Sequence, residues 1–147
     1  MKITILAVGK VKERGIREAV DDYLGRVKRH FPIEEVEVRD APAVELAKVL
    51  HKRLPSDAYA VALDMVGTSR TSEQFARWLD AKAAQGKGNI VFLIGGADGL
   101  PPDIMSRAAE KLSLSAMTFP HRLARLVLAE QLYRAVTILR NEPYARL

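Results

Sequence analysis

The chain has 147 residues, of which 48% are hydrophobic and 28% charged, and this composition excludes a disordered chain, a collagen-like chain and a coiled-coil rod. It lacks cysteine, which excludes disulfides and thiolate sites. No apolar run approaches the roughly 20 residues of a membrane span. One cytoplasmic domain over residues 1–147 is therefore expected. The net charge is +5, and the basic residues of 101–147 are almost all arginine; this fits a polyanionic partner such as nucleic acid, the alternative being a merely solvated basic surface.

The first part of the chain alternates strand and helix patterns. Lys2–Val8 is apolar and rich in β-branched residues, which predicts a buried strand. Helical spacing of apolar residues predicts a helix over Ile16–Arg29. Ile33–Val38 mixes apolar and acidic residues, which predicts an edge strand whose acidic side chains face solvent. A second helix is expected over Ala43–Leu54. Its buried stripe is predicted to contain Val44, Ala47, Leu50 and Leu54.

The alternation continues to the C-terminus. Ala58–Leu63 is apolar on both faces, as a central parallel strand is. Thr71 and Gln74 match a capping box, which predicts a helix ending near Gln85. The remaining predicted elements are a buried strand Asn89–Ile94, a short helix Asp103–Lys111, a strand Leu112–Ser115 and a long helix Leu123–Arg140.

Five strands alternating with five helices predict an α/β fold, with a mostly parallel sheet and helices on both faces. Ligands of such sheets bind beyond the carboxyl ends of the strands. Three loops follow predicted strands: Asp64–Arg70, Gly95–Pro102 and Ala116–Arg122. The sequence therefore predicts a ligand site formed by these loops.

Two of the loops have unusual compositions. Three glycines within Gly95–Gly99 let the backbone approach a ligand, although a plain tight turn is the alternative. Leu114–Phe119 is apolar and small, which suits a planar heteroaromatic ring held by backbone hydrogen bonds. The alternative is a strand end followed by a helix entry, with His121 in a structural role.

The last predicted helix carries two apolar stripes, whereas a surface helix needs only one buried face. The first contains Leu128, Leu132, Ala135, Val136 and Leu139, and the second begins with Leu123, Leu126 and Val127. One stripe is expected to face the chain's own sheet and the other a second subunit, which predicts a homodimer. Glu130 and Arg134 form an i,i+4 pair on this helix. The pair is interpreted either as part of a functional site or as an ion pair exposed to solvent. No His, Asp or Glu cluster has metal-ligand spacing, so no metal is expected.

Five motifs run in order along the chain: LD-x-x-G, F-L-I-G-G-x-x-G-L, LS-x-MT-x-PH, R-x-x-L-x-EQ-x-YRA and NEPY. With the N-terminal MKITILAVGK, they resemble the ribosomal RNA large subunit methyltransferase H family of the SPOUT superfamily over the full length. The resemblance implies methylation of N3 of a pseudouridine in large-subunit (23S) ribosomal RNA, with S-adenosylmethionine as the methyl donor and assembled ribosomes as the substrate.

The resemblance also implies a single SPOUT domain with a C-terminal trefoil knot, whose loops bind the cofactor in a bent conformation. It implies a homodimer in which each site uses residues of the partner subunit. The cofactor positions that carry over are Leu63, Gly95, Leu114, Ser115, Ala116, Met117, Thr118 and Phe119.

Catalysis requires that N3 of the base lose its proton, so a nearby base or cation is expected. The candidates are His121, Glu130, Arg134, Tyr144 and Arg146. The family's tail usually reads Pro-Tyr-His followed by a basic residue, whereas this chain has Ala145 in place of the histidine. Tyr144 and Arg146 then remain as tail contacts for RNA, with packing of Tyr144 on the domain as the alternative.

Two other functions stay open. One is a SPOUT methyltransferase that acts on another RNA. The other is a non-catalytic ribosome-binding module, which would have no reason to keep Gly95, Gly96 and the apolar loop Leu114–Phe119.

Overall fold

The structure is a computed structural model that describes residues 1–145. One five-stranded sheet has the order β2-β1-β4-β3-β5, and its neighbouring strands pair in parallel. The strands are β1 Lys2–Val8, β2 Ile33–Val38, β3 Tyr59–Ser69, β4 Asn89–Ile94 and β5 Glu110–Ser113. The helices are α1 Arg14–Val27, α2 Ala43–Arg53, α3 Ser72–Ala84, α4 Pro102–Met105 and α5 His121–Leu139, followed by a 3₁₀ turn over Pro143–Ala145. The predicted α/β fold with a parallel sheet is confirmed.

Helices cover both faces of the sheet. On one face α5 lies between α1 and α3, and this layer packs on a core that includes Ile5, Phe92 and Leu132. On the other face α2 and α4 pack around a core that includes Leu50 and Ile104. Both faces of β1 and β4 are therefore buried, which explains why these two strands are apolar without alternation.

Elements with strong local signals have the predicted bounds. The strands β1, β2 and β4 match residue for residue, and β2 lies at the sheet edge as expected. The capping box that opens α3 is also present. The Thr71 hydroxyl accepts a hydrogen bond from the Gln74 backbone N–H at 3.1 Å, and the Gln74 side-chain oxygen accepts one from the Thr71 N–H at 2.9 Å.

Elements next to the predicted loops differ from expectation. α4 spans only Pro102–Met105, so the helix predicted to continue to Lys111 is wrong, and β5 begins at Glu110 instead of Leu112. β3 continues to Ser69 through a segment predicted to be a loop. After a register shift between Leu63 and Thr68, this strand pairs with β5 again, and those long-range hydrogen bonds have no local sequence signal.

Two predicted side-chain directions are wrong. Val44 is 71% exposed, and the buried face of α2 is formed by Leu46, Ala47 and Leu50. Because Val44 precedes Leu46 by two residues, the two side chains point in nearly opposite directions on a helix. On β2, Glu35 does not face solvent; its side chain is 12% exposed and pairs with arginines of α1 and α5.

Most of the first predicted stripe of the last helix packs in the chain's own core: Leu128, Leu132, Ala135 and Val136 are buried, and Leu139 is half-buried. The second stripe is different: Leu123 is exposed, and Leu126 and Val127 are half-buried. Within residues 1–145, neither this helix nor any other is both long and apolar enough to span a membrane.

A polar cluster around Glu110 ties β5 to β3 and α3. The Glu110 carboxylate accepts hydrogen bonds from Tyr59, from Trp78 at 3.0 Å and from Arg70 at 2.9 Å, and Lys82 lies 3.5 Å away. Burial opposes ionisation of the carboxyl group, but the hydrogen bonds from Tyr59, Trp78 and Arg70 outweigh it and lower the pKa of Glu110 below its ordinary value. The folded state therefore favours the carboxylate.

Replacing Glu110 by alanine is expected to lower the free energy of unfolding by about 2 kcal/mol, because two cations and two neutral donors lose their acceptor. Since the pKa of Glu110 is lower in the folded state, its stabilisation is present above the ordinary pKa of 4.5 and is lost as pH falls below it. Urea unfolding at neutral pH and at acid pH measures both effects. The exposed pair Glu73–Arg77 supplies the control, since Glu73→Ala should change stability by less than about 0.5 kcal/mol.

Candidate active site

A cavity of about 720 Å³ opens at the carboxyl ends of the strands. Its wall combines Leu63, Asp64 and Met65 within β3, the ends of β4 and β5 with the residues after them, and the first turn of α5. The lining residues are Leu63, Asp64, Met65, Ile94, Gly95, Gly96, Ala97, Gly99, Leu100, Leu112, Leu114, Ser115, Met117, Thr118, Phe119, Pro120, His121, Arg122 and Ala124. The volume lies within the range of small-molecule sites, roughly 300–1,000 Å³.

The cavity brings together most of the residues that the sequence assigns to cofactor binding. The residues that line it are Leu63, Gly95, Leu114, Ser115, Met117, Thr118 and Phe119. Ala116 is exposed and is not among the lining residues. Sequence reasoning missed Ile94 and Leu112, which belong to predicted strands and could have been found from that position alone, whereas Leu100 lies in the predicted loop Gly95–Pro102.

The loop between β5 and α5 is held by side chains. The Ser113 hydroxyl donates to the Ser115 carbonyl at 3.1 Å, and the Ser115 hydroxyl accepts from the Met117 N–H at 2.9 Å. The Thr118 hydroxyl lies 3.4 Å from the Met65 sulfur. Ala116–Phe119 make no backbone–backbone hydrogen bond with another described residue. Apart from the Met117 N–H, backbone donors and acceptors are therefore available at an apolar wall, which suits a planar heteroaromatic ring.

The loop after β4 is a tight turn that requires glycine. The Gly99 N–H donates to the Gly96 carbonyl at 3.0 Å, and Gly99 has a φ of +75°. A Cβ on Gly95 would lie 2.6 Å from the Gly99 carbonyl carbon, so no side chain fits there. Gly95 therefore shapes the cavity wall by its contact with the opposite arm of the turn.

His121 begins α5 and lines the cavity. Its Nδ1 atom is buried and has no hydrogen-bond partner among the described residues. The imidazole faces the backbone after β1 across a gap of about one methyl group, since a Cβ on Gly9 would make ordinary van der Waals contact with His121 Cε1 at 3.5 Å. Beside it, Arg122 forms an ion pair with Glu13 at 3.0 Å. His121 is the one proposed catalytic residue that this cavity brings to the predicted cofactor loops among residues 1–145.

Glu130, Arg134 and Tyr144 form a separate group. Glu130 follows His121 by nine residues on α5, about 13 Å along the helix axis. The Arg134 Nε atom lies 2.6 Å from a Glu130 carboxylate oxygen, and the Arg134 guanidinium lies 5.1 Å from the centre of the Tyr144 ring. The Tyr144 ring packs 4.6 Å from that of Tyr133. Arg146, the fifth candidate, lies outside the described residues.

The protonation states of this group limit what it can do. Burial, and then the hydrogen bond with Tyr23, raise the pKa of Tyr144 far above its ordinary value. The hydrogen bond with Glu130 raises the pKa of Arg134. At neutral pH Tyr144 is therefore a neutral phenol and Arg134 a cation, so neither side chain is a base, and the charge of Arg134 is paired with the Glu130 carboxylate.

The chain is similar to known proteins along nearly its whole length. A family described as "Predicted SPOUT methyltransferase" matches residues 1–145. The chain is 48% identical to ribosomal RNA large subunit methyltransferase H of Sorangium cellulosum, with 99% of each chain covered. It is 42% identical to the protein of the same name from Gemmatimonas aurantiaca and 43% identical to that from Exiguobacterium sibiricum, and in both cases 98% of this chain and 99% of the relative are covered.

Among solved structures, the chain is similar to the SpoU methyltransferase AviRb from Streptomyces viridochromogenes in complex with the cofactor AdoMet, with 12% sequence identity and a TM-score of 0.48. The similarity covers 89% of this chain and 56% of that one, so the chain spans little more than half of its length. On the match over residues 1–145 and the relatives at 42–48% identity, the chain belongs to the SPOUT methyltransferase family.

Proposed function

We propose that this protein transfers the methyl group of S-adenosylmethionine to N3 of a pseudouridine in large-subunit ribosomal RNA, in the cytoplasm and on assembled ribosomes. The observation that carries the proposal is the cavity at the carboxyl ends of the strands, which gathers the cofactor loops and His121. The relatives, which match over nearly their full length, are named as ribosomal RNA large subunit methyltransferases.

The residues around the cavity fit the proposed cofactor. The apolar wall includes Leu114 and Phe119, and the backbone groups of Ala116–Phe119 other than the Met117 N–H are free within residues 1–145, which suits the adenine ring. The close turn at Gly95 leaves backbone instead of side chains next to the nucleoside. The buried, unpartnered Nδ1 atom of His121 offers a polar contact in the same space.

Bound S-adenosylmethionine supplies an electrophilic methyl group, so the chain's own task is to orient it and to manage one proton. The N3 lone pair forms the new N–C bond as the S–C bond breaks, and the N3 proton leaves to a base. We assign that base to His121, because it lies in the cavity and because the raised pKa of Tyr144 disfavours its phenolate. We assign to the Arg134 cation, which is paired with Glu130, a contact with RNA.

A homodimer is part of the proposal. Large apolar side chains remain exposed at the cavity and beside it, on Met65, Val66, Met117 and Leu123. Such a patch is typical of an interface, and a second copy would cover it. The dimer would also bring the Glu130–Arg134–Tyr144 group of one subunit to the cavity of the other, which it does not reach in its own chain. Light scattering is expected to give twice the single-chain mass of 16.3 kDa, and the single-chain value at micromolar concentration would contradict the dimer.

We also propose the trefoil knot that the family resemblance implies. In its support, the chain leaves β5 at the sheet edge and passes the carboxyl ends of β3 and β4 to place His121 beside Gly9, which follows β1. A crystal structure tests the knot directly. A chain that can be traced from Leu114 to α5 without threading another loop would contradict it.

Methyl transfer to ribosomal RNA is the decisive experiment for the function. Ribosomes from a strain that lacks the gene should accept one methyl group from the purified protein, and nucleoside mass spectrometry should identify methylpseudouridine. Transfer to another RNA instead would favour a different substrate within the family. Calorimetric titration with S-adenosylmethionine separates the enzyme from a non-catalytic ribosome-binding module, which should give no heat of binding.

A further inference from the structure

The side chain of Arg125 is fully buried although it is charged, and the proposed chemistry does not use it. It lies on α5 four residues after His121, so the two side chains share a face of the helix. Arg125 Nη1 donates to Glu37 and, at 3.0 Å, to Glu35, both on β2. Arg125 Nη2 donates to the Gly9 carbonyl oxygen at 2.9 Å. One guanidinium therefore links α5, the edge strand β2 and the end of β1.

The bond to Gly9 connects this buried ion cluster to the cavity. Gly9 has a φ of +89°, and its Cα faces the His121 imidazole, since a Cβ there would lie 3.5 Å from His121 Cε1. The carboxylate of Glu37 also contacts the backbone two residues after Gly9, because its Oε2 atom accepts a hydrogen bond from the Val11 N–H at 3.4 Å. Arg125 thus holds both the helix that carries His121 and the backbone segment that faces the His121 ring.

A purely structural role does not by itself require a charge at this position. Replacing a buried ion pair with apolar side chains of similar volume is often neutral or stabilising, because desolvation offsets the Coulombic attraction. An apolar side chain, however, could not bond the Gly9 carbonyl oxygen. The planar fork of arginine bonds two carboxylates and a carbonyl in one fixed geometry, which lysine cannot reproduce.

We infer that Arg125 is a positioning residue, which sets the orientation of His121 through the Gly9 carbonyl and thereby the affinity of the cavity for its nucleoside ligand. The second half of this statement rests on the proposed function. Arg125 itself is buried beneath the cavity wall and is not among the residues that line it.

Arg17 supplies a matched control. Its guanidinium contacts the same two carboxylates, Glu35 and, at 3.4 Å, Glu37, and also Asp21 at 2.7 Å. Within residues 1–145, the Arg17 side chain donates to Asp21, Glu35 and Glu37 and not to Gly9. Arg17→Lys and Arg125→Lys therefore both perturb the cluster, but only the second removes the link to the residue beneath His121.

The experiment compares these two variants after far-UV dichroism has shown that both are folded. The chain has three histidines, so the His121 Cε1–Hε1 resonance can be assigned with single substitutions and followed without a cofactor. In Arg125→Lys we expect this resonance to move and the dissociation constant of S-adenosylhomocysteine to rise about tenfold. In Arg17→Lys the resonance should stay in place and the affinity should change less than about twofold.

An unmoved His121 resonance in folded Arg125→Lys overturns the inference, and so does an equal change in Arg17→Lys. If Arg125→Lys does not fold, the charge-balanced pair Arg125→Met with Glu37→Gln replaces it, because it removes one positive and one negative charge together. If S-adenosylhomocysteine does not bind the unmodified protein, the proposed function fails, whereas the resonance comparison still decides the role of Arg125.

Discussion

Replacing Gly95 by valine is expected to abolish S-adenosylmethionine binding while the sheet remains folded. A Cβ at this position would lie 2.6 Å from the Gly99 carbonyl carbon and 2.8 Å from the Leu100 nitrogen, so the whole turn has to move. Because Gly95, Gly99 and Leu100 all line the cavity, that movement displaces one of its walls. Calorimetric titration should show at least about a hundredfold loss of affinity, and far-UV dichroism should be unchanged.

Gly88→Ala is the control for this substitution. Gly88 precedes β4 at the opposite end of the strand, and a Cβ there would meet nothing within 4 Å. The affinity of this variant should equal that of the unmodified protein. Cofactor binding that survives in Gly95→Val would remove Gly95 from the site and would place the nucleoside elsewhere in the cavity.

Deleting Tyr144–Leu147 is expected to spare cofactor binding and dimerisation but to abolish methyl transfer to ribosomes. The Tyr144 ring packs on Tyr133 near Arg134, away from the cavity of its own chain, so the cofactor loops should keep their structure. The tail would act on RNA or on the partner's site. Titration with cofactor, light scattering and transfer to ribosomes separate the three properties.

Two single substitutions separate the contribution of Tyr144 from that of Arg146. Tyr144→Phe keeps the ring on Tyr133 but removes the hydroxyl group, which lies 3.4 Å from the Tyr23 hydroxyl, so it should keep most activity if packing is what matters. Arg146→Ala should weaken ribosome binding and lower the slope of affinity against salt by about one, as expected for one lost phosphate contact. Full activity after the deletion would show instead that His121, Glu130 and Arg134 suffice.

Much of this protein could be read from local sequence. The apolar runs of β1 and β4 and the capping box at Thr71 rest on patterns within a few residues, and the structure agrees with them. It also has a cavity at the strand ends, where the sequence predicts a ligand site. The loops proposed to bind the cofactor could be predicted to lie together because parallel strands bring their carboxyl ends to one edge, whatever their order in the sheet. The resemblance to SPOUT methyltransferases added the chemistry, which no periodicity contains.

Tertiary structure alone decided where charged side chains go. Glu35 and Glu37 look like the solvent side of an edge strand, yet they pair with Arg125, which is buried about ninety residues later in the chain. A carboxylate tolerates burial only beside a cation, and no local pattern reports a cation that folding brings from so far away. For the same reason the sequence determined that α5 has two apolar stripes but not which one faces its own sheet. The packing of α5 between α1 and α3 buried the stripe of Leu128 and Leu132 and left Leu123 exposed.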